Sequence, residues 1–461
     1  GQRSIYTYGT SNLITLDDDG VIRITGVNDV IINSVIGDGL PTLRLLEVTS
    51  TNGTMSLEKE SGQLLTGAQL NLTGRLLNLA GVVTSTRATV STTDNEVILS
   101  AVDNIILSGT LTLQGSMLVT SQASITLSNI RLIINNPGQH LIVEAAGDVR
   151  LGNTMPTAGD NSPTATVLQA DAFVQFDVGG KVILGYDAQI YSSANNSAIR
   201  IDASGLAVVG TIYAGASFNA SAPPPFTWTG KNATVLVNLD EAVVIGGQGL
   251  DAGFNLINSG GTIASSGALT VQAGMDQNGL GLSLSSTSKI EVDATGAGAF
   301  TAVAPGQMTL DVDGDMNIFG FINAKDTGAD LSINSDGLVF VDGLVTASDR
   351  LTVMGGRDST GAGVVTTGVV LDVDLNRVSG GTIDVGVGGT IDIRAIQNIQ
   401  ISGVVGMLTP AGVGVFNAHA TSIYLESTTG DVTVSGFVDA GNTITLIGRN
   451  TNVLENAREK T

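Results

Sequence analysis

Two aspartates in "VLDVDLN", Asp372 and Asp374, stand two positions apart. On a strand that spacing puts both carboxylates on the outward side, with Val373 and Leu375 inward. Paired carboxylates flanking a glycosidic bond are the equipment of sugar cleavage. The same alternation also describes a solvated strand face. Sugar-binding grooves draw on aromatic platforms, and aromatics make up only 4% of this chain.

"LDVDGDMN" places Asp311, Asp313 and Asp315 at alternating positions, as a calcium loop would. An EF-hand needs glycine at its sixth position and glutamate at its twelfth. Here those positions hold Met316 and Ile322, so the alternative reading is a turn held by Asp side chains. "TLDDDG", with Asp17, Asp18 and Asp19, is a similar case. "SGGTIDVGVGGTIDIRA" repeats Gly-Gly-Thr-Ile-Asp but lacks the second glycine pair of the calcium β-roll pattern Gly-Gly-x-Gly-x-Asp, and reads as two strands and a turn. His140 and His419 lack metal-ligand spacing, and the absence of cysteine excludes thiolate catalysis and zinc-thiolate sites. There is no Gly-x-Ser-x-Gly nucleophile elbow between a strand and a helix, and no Walker phosphate loop. No catalytic residue and no cofactor are expected, with Ca2+ at Asp311, Asp313 and Asp315 the one metal to test.

The elements that would position such groups follow from composition. The 461 residues include 60 Gly, one Trp and a hydrophobic fraction of 42%, so the core is thin and built from Val, Ile, Leu and Ala. Charged residues are only 13%, and Asn, Ser, Thr and Gly supply the polar surface. Lys+Arg total 20 against 42 Asp+Glu, a net charge of −22. An acidic chain without a basic stripe is a poor ligand for nucleic acid or anionic lipid. No run of about 18 apolar residues offers a membrane insertion segment. The amino terminus lacks the basic start and apolar stretch of a signal peptide, so an exported form is expected to be processed or cut from something longer.

Self-similar units organise the chain. Asp315 to Ala324 aligns on Gly320 with Asp431 to Ala440 on Gly436, and Leu338 to Ala347 fits the same frame on Gly343. Asn104 to Leu111 and Leu206 to Ala214 fit more loosely. Ile423 and Leu425 recur as Ile444 and Leu446. Within each unit, "SIYLES", "DVTVSG" and "TITLIG" alternate as short strands between turn dipeptides. The best helical candidate, Leu64 to Gly81, also reads as strands through its Leu-x-Leu spacing. Steps of roughly 20 to 23 residues with two or three strands each predict an all-β parallel β-helix, a β-solenoid of roughly 20 coils. Glycines are expected at its corners. The alternatives are a trimeric β-fibre whose chains share a core, and stacked β-sandwiches.

The solenoid is expected to run continuously over 1–447, with loop insertions near 153–167 and 215–234. The second holds Pro223, Pro224, Pro225 and the only Trp, Trp228. Three consecutive prolines cannot donate to a ladder, so this stretch reads as a projecting interaction loop. Residues 448–461 are charged, lose the β pattern and read as a terminal cap or connecting arm.

"VEAAGDVRLGN", "LESTTGDVTVSG" and "GNTITLIG" resemble the coils of filamentous-haemagglutinin-type proteins and related large bacterial surface β-helices. The resemblance implies a rod or fibre outside the cell, used in adhesion, cell contact or matrix, with a host-cell, matrix or glycan ligand. The open edges of a β-helix independently invite another chain, so self-association into a homopolymer is expected. The function expected is therefore an extracellular or cell-surface structural or adhesive fibre protein, able to assemble end to end into a filament, and not an enzyme. The alternative is a polysaccharide-binding or polysaccharide-cleaving β-helix of lyase or tailspike type.

Overall fold

The computed structural model describes residues 5–8, 21–33, 35–36, 44–59, 62–66, 69–85, 96–134, 136–152, 166–220, 226–250, 256–292, 307–324, 328–356, 361–367, 370–371, 377–408, 417–418, 420–454 and 458–460. Among these the protein is all-β without a helix, and its strands pair mostly in parallel. The chain divides into two compact units. One comprises Gly1–Ser204, Gly210–Gly230 and Leu250–Asn255, the other Gly205–Val209, Lys231–Gly249 and Leu256–Thr461.

In the first unit, alternation of aliphatic and polar residues over short runs makes strands, and glycine or Asx turns end them. Val97–Ala101, Ile105–Leu107 and Thr110–Leu113 follow one another in the chain. The next three, Met117–Ser121, Ile125–Leu127 and Arg131–Ile134, pair with them one for one in parallel. His140–Ala145, Val149–Leu151 and Thr166–Ala170 then pair with those. The long strand Phe173–Leu184 supplies the next two partners, Ala188–Ser192 the third, and Thr211–Ala214 pairs with Ala188–Ser192. Three ladders result. The stretch read as helical or extended is extended, with strands at Gln63–Thr66 and Gln69–Leu79.

The second unit repeats this order. Gln307–Val312, Asp315–Ile318 and Phe321–Ala324 pair with Asp330–Ser335, Val339–Val341 and Leu344–Ala347. The triplets continue through Thr390–Ala395, Asn398–Ile401 and Val404–Val405 to Ser422–Ser427, Val432–Val434 and Phe437–Asp439. The β pattern expected to lapse after 447 carries on. Thr451–Val453 pairs with Val432–Val434, and Arg458–Lys460 with Phe437–Asp439. The correction has a simple cause: parallel pairing uses backbone groups, so charged side chains can decorate a strand that still pairs.

Inward positions form aliphatic columns. Val97, Met117, Leu141 and Val174 are successive register partners, all buried. Each such side chain contributes about 1.5–3 kcal/mol by leaving water. Insertions stretch the step, so Lys181 lies 33 residues beyond its neighbour Asp148, whereas Thr346 lies 23 beyond Asn323. Antiparallel hairpins occupy some of these insertions, as at Ala216–Phe218 with Phe226–Trp228 and Met407–Leu408 with Asn417–Ala418.

Candidate functional site

The stretch expected to project as a loop instead folds back. Gly215, with a left-handed φ of 88°, lets the chain turn out of the third ladder of the first unit. Its carbonyl accepts hydrogen bonds from the backbone N–H groups of Thr229 and Gly230, at 2.8 and 2.9 Å, closing the neck of a hairpin. Alternation then sorts the hairpin's faces. Ala216, Phe218, Phe226 and Trp228 share one face, and exposed Thr227 lies on the other.

The aromatic face lies against outward positions of the third ladder. There Gln169, Tyr191 and Tyr213 are successive register partners. The Phe226 ring stacks on Tyr213 at 4.2 Å between centroids, and Trp228 meets both edge-on. Phe218 packs against Tyr191 at 6.2 Å, its backbone N–H donates to Gln169 Oε1 at 2.8 Å, and the Arg131 guanidinium lies over its ring. Covered in this way, Gln169 and Tyr191 are 5% and 1% exposed despite facing outward. Burial pushes the Tyr191 phenol well above the usual tyrosine range, with Tyr213 adding to the effect, and its hydroxyl donates to Gln189 Oε1. Trp228 therefore faces the ladder as part of a small aromatic core. The ladder residues Tyr191 and Tyr213 and the hairpin residues Phe218 and Phe226, which together form this aromatic strap, belong to none of the candidate catalytic or metal motifs of the sequence. Their signal was the recurrence of Ile-Tyr in "QIYSS" and "TIYAG". Pro223, Pro224 and Pro225 lie outside the described residues, as do Asp17, Asp18, Asp19, Asp372, Asp374, His419 and residues 153–165.

The calcium candidates separate. Asp311 and Asp313 are exposed, whereas Asp315 Oδ1 accepts the backbone N–H of Leu338 from the next repeat at 2.8 Å. The same corner recurs between first and second ladders. Asp29 accepts from Thr54, Asn104 from Ser124, Asp148 from Lys181, and Asn398 from Asp431. The Lys181 N–H holds the Asp148 carboxyl below the usual range, with Arg150 assisting. Beside this column, Ser121, Ser335 and Ser427 donate to carbonyls of the preceding repeat, at Asp103, Gly314 and Gln397. Among the described residues no cluster of three or more His, Asp or Glu could hold a metal ion.

His140 is buried, its ring stacked on Phe173 at 4.5 Å. Its Nδ1 lies 3.0 Å from Ser116 Oγ, which donates its own proton to Gln139 Oε1 at 2.7 Å. A hydroxyl donates once, so in this arrangement Nδ1 carries the hydrogen and gives it to Ser116. The imidazole is thus no base toward Ser116, which is itself fully buried. Burial also lowers the His140 pKa below the ordinary 6.5.

No helix among the described residues is long and apolar enough to cross a membrane. Comparison with protein families, curated proteins and solved structures finds no match.

Proposed function

We propose that the chain is a parallel β-solenoid that serves as a structural or adhesive fibre outside the cell, its rods joining end to end. The triplet register supports the solenoid: each run of three strands pairs one for one with the next, and the inward columns are filled from within one chain. That filling favours a single-chain rod over a trimer that shares its core.

One observation carries the fibre reading: the inward column through Ile393 and Leu425 passes from triplet to triplet in parallel register, so each added repeat extends the same buried column. The end strand of any such stack pairs on one side only, and an open parallel edge is a template for another chain. If a second copy docks head to tail, the contact does not close and a filament grows. The outer surface, low in charge and rich in Thr, Asn and Ser, is the part available to a host-cell, matrix or glycan ligand.

Electron microscopy across a concentration series tests this. Filaments that lengthen with concentration are expected. Monodisperse short rods at every concentration would remove self-assembly, and a constant mass of three chains would replace the rod with the trimer.

A further inference from the structure

In a stack of repeats each repeat ordinarily touches only its neighbours, so opening can begin anywhere and spread one interface at a time. The aromatic strap breaks that rule. Phe218 alone meets three repeats: the Arg131 guanidinium lies over its ring at 5.2 Å, its N–H is held by Gln169, and its ring packs on Tyr191. Phe226 and Trp228, on the same hairpin face, close on Tyr213 of a fourth. Arg131, Gln169, Tyr191 and Tyr213 belong to four consecutive strands of one ladder, and Val167 completes the cluster beneath the hairpin. The neck is fixed as well, because a β-carbon on Gly230 would collide with the carbonyl of Ala194.

We propose that this strap is a clamp that makes four repeats of the first unit open together. The strands Arg131–Ile134, Thr166–Ala170, Ala188–Ser192 and Thr211–Ala214 cannot separate singly without unseating rings that bridge them. Under heat or pull they form one cooperative block, and this block is the segment of the first unit that resists progressive unzipping. The clamp rests on ladder register and ring packing and is independent of whether the chain forms fibres.

Native-state hydrogen exchange on the full chain tests it. Removing the Phe218 ring with Phe218→Ala should speed exchange about tenfold, in step, in all four strands, since the ring pairings it removes are together worth about that factor. Strands of the second unit serve as the internal reference and should not change. Thr227→Ala, on the hairpin's outer face, where its hydroxyl meets only Asn219 of the same hairpin, should leave the rates of the four strands as they were. Should Phe218→Ala fail to fold, Phe218→Leu, which keeps apolar volume but removes the ring, should give the same four-strand pattern at smaller amplitude. Faster exchange confined to the hairpin, or to Thr211–Ala214 alone, would overturn the clamp.

Discussion

The carbonyl oxygen of Gly320 occupies the space where a β-carbon of Gly343 would stand, and that oxygen accepts the backbone N–H of Leu344 at 3.0 Å. The same relation links Gly81 to Gly109 and Gly403 to Gly436. Neither Gly320 nor Gly343 has positive φ, so close approach of two repeats, not backbone freedom, is what requires glycine here.

Gly343→Ala should therefore lower stability by about 1–3 kcal/mol, the ordinary cost of forcing extra atoms into a packed site. Gly441→Ala, where the nearest atom would be 3.7 Å away, is the control and should change little. Denaturant unfolding of the two variants compares them directly.

Much of this corner was readable from sequence. The alignment of Asp315 to Ala324 with Leu338 to Ala347 is true register: Met316 pairs with Val339 and Phe321 with Leu344. Ile423 and Leu425 likewise pair with Ile444 and Leu446. Period and glycine survive in sequence because every repeat meets the same packing demand. The strap did not show, because Phe218 and Phe226 pair antiparallel across an insertion, where no repeat imposes a pattern. Asp315 showed itself only as a carboxylate. That it serves the next repeat's backbone depends on a neighbour 23 residues away.

Asp315→Ala should cost about 1 kcal/mol by leaving the Leu338 N–H without its acceptor, while Asp315→Asn, which keeps an oxygen there, should be close to neutral. Equal loss in both would mean that charge, not the hydrogen bond, matters. Thermal melts with and without calcium complete the test. An unchanged midpoint is expected, and a calcium-dependent rise lost in Asp315→Asn would restore the metal reading.

Stability should fall on mild acidification through His140. Its folded pKa lies below 6.5, so the unfolded chain binds the proton more readily. The contribution is complete above 6.5 and is lost as pH falls toward the folded value, with a slope of at most about 1.4 kcal/mol per pH unit. His140→Gln should flatten the stability profile in that window. An unchanged difference between the two proteins from pH 7 to 5 would contradict the assignment.

Leu425 sits between Ile393 and Leu446 in a filled inward column. Leu425→Ala should cost about 2–5 kcal/mol through lost burial and the cavity left behind. Val387, 87% exposed, should tolerate alanine within about 0.5 kcal/mol. Urea titration separates the two readily.

The Asx corner has a polarity. At Asp29, Asn104, Asp148, Asp315 and Asn398 the side-chain acceptor belongs to the earlier repeat and the N–H to the later one. A chain emerging amino end first would thus leave behind it, at each completed layer, an oxygen already aimed at the residue yet to arrive. Growth in that direction meets a prepared surface, whereas growth from the carboxyl end would have to wait for its acceptors. The corner that fastens the finished stack also sets the order in which it is easiest to build.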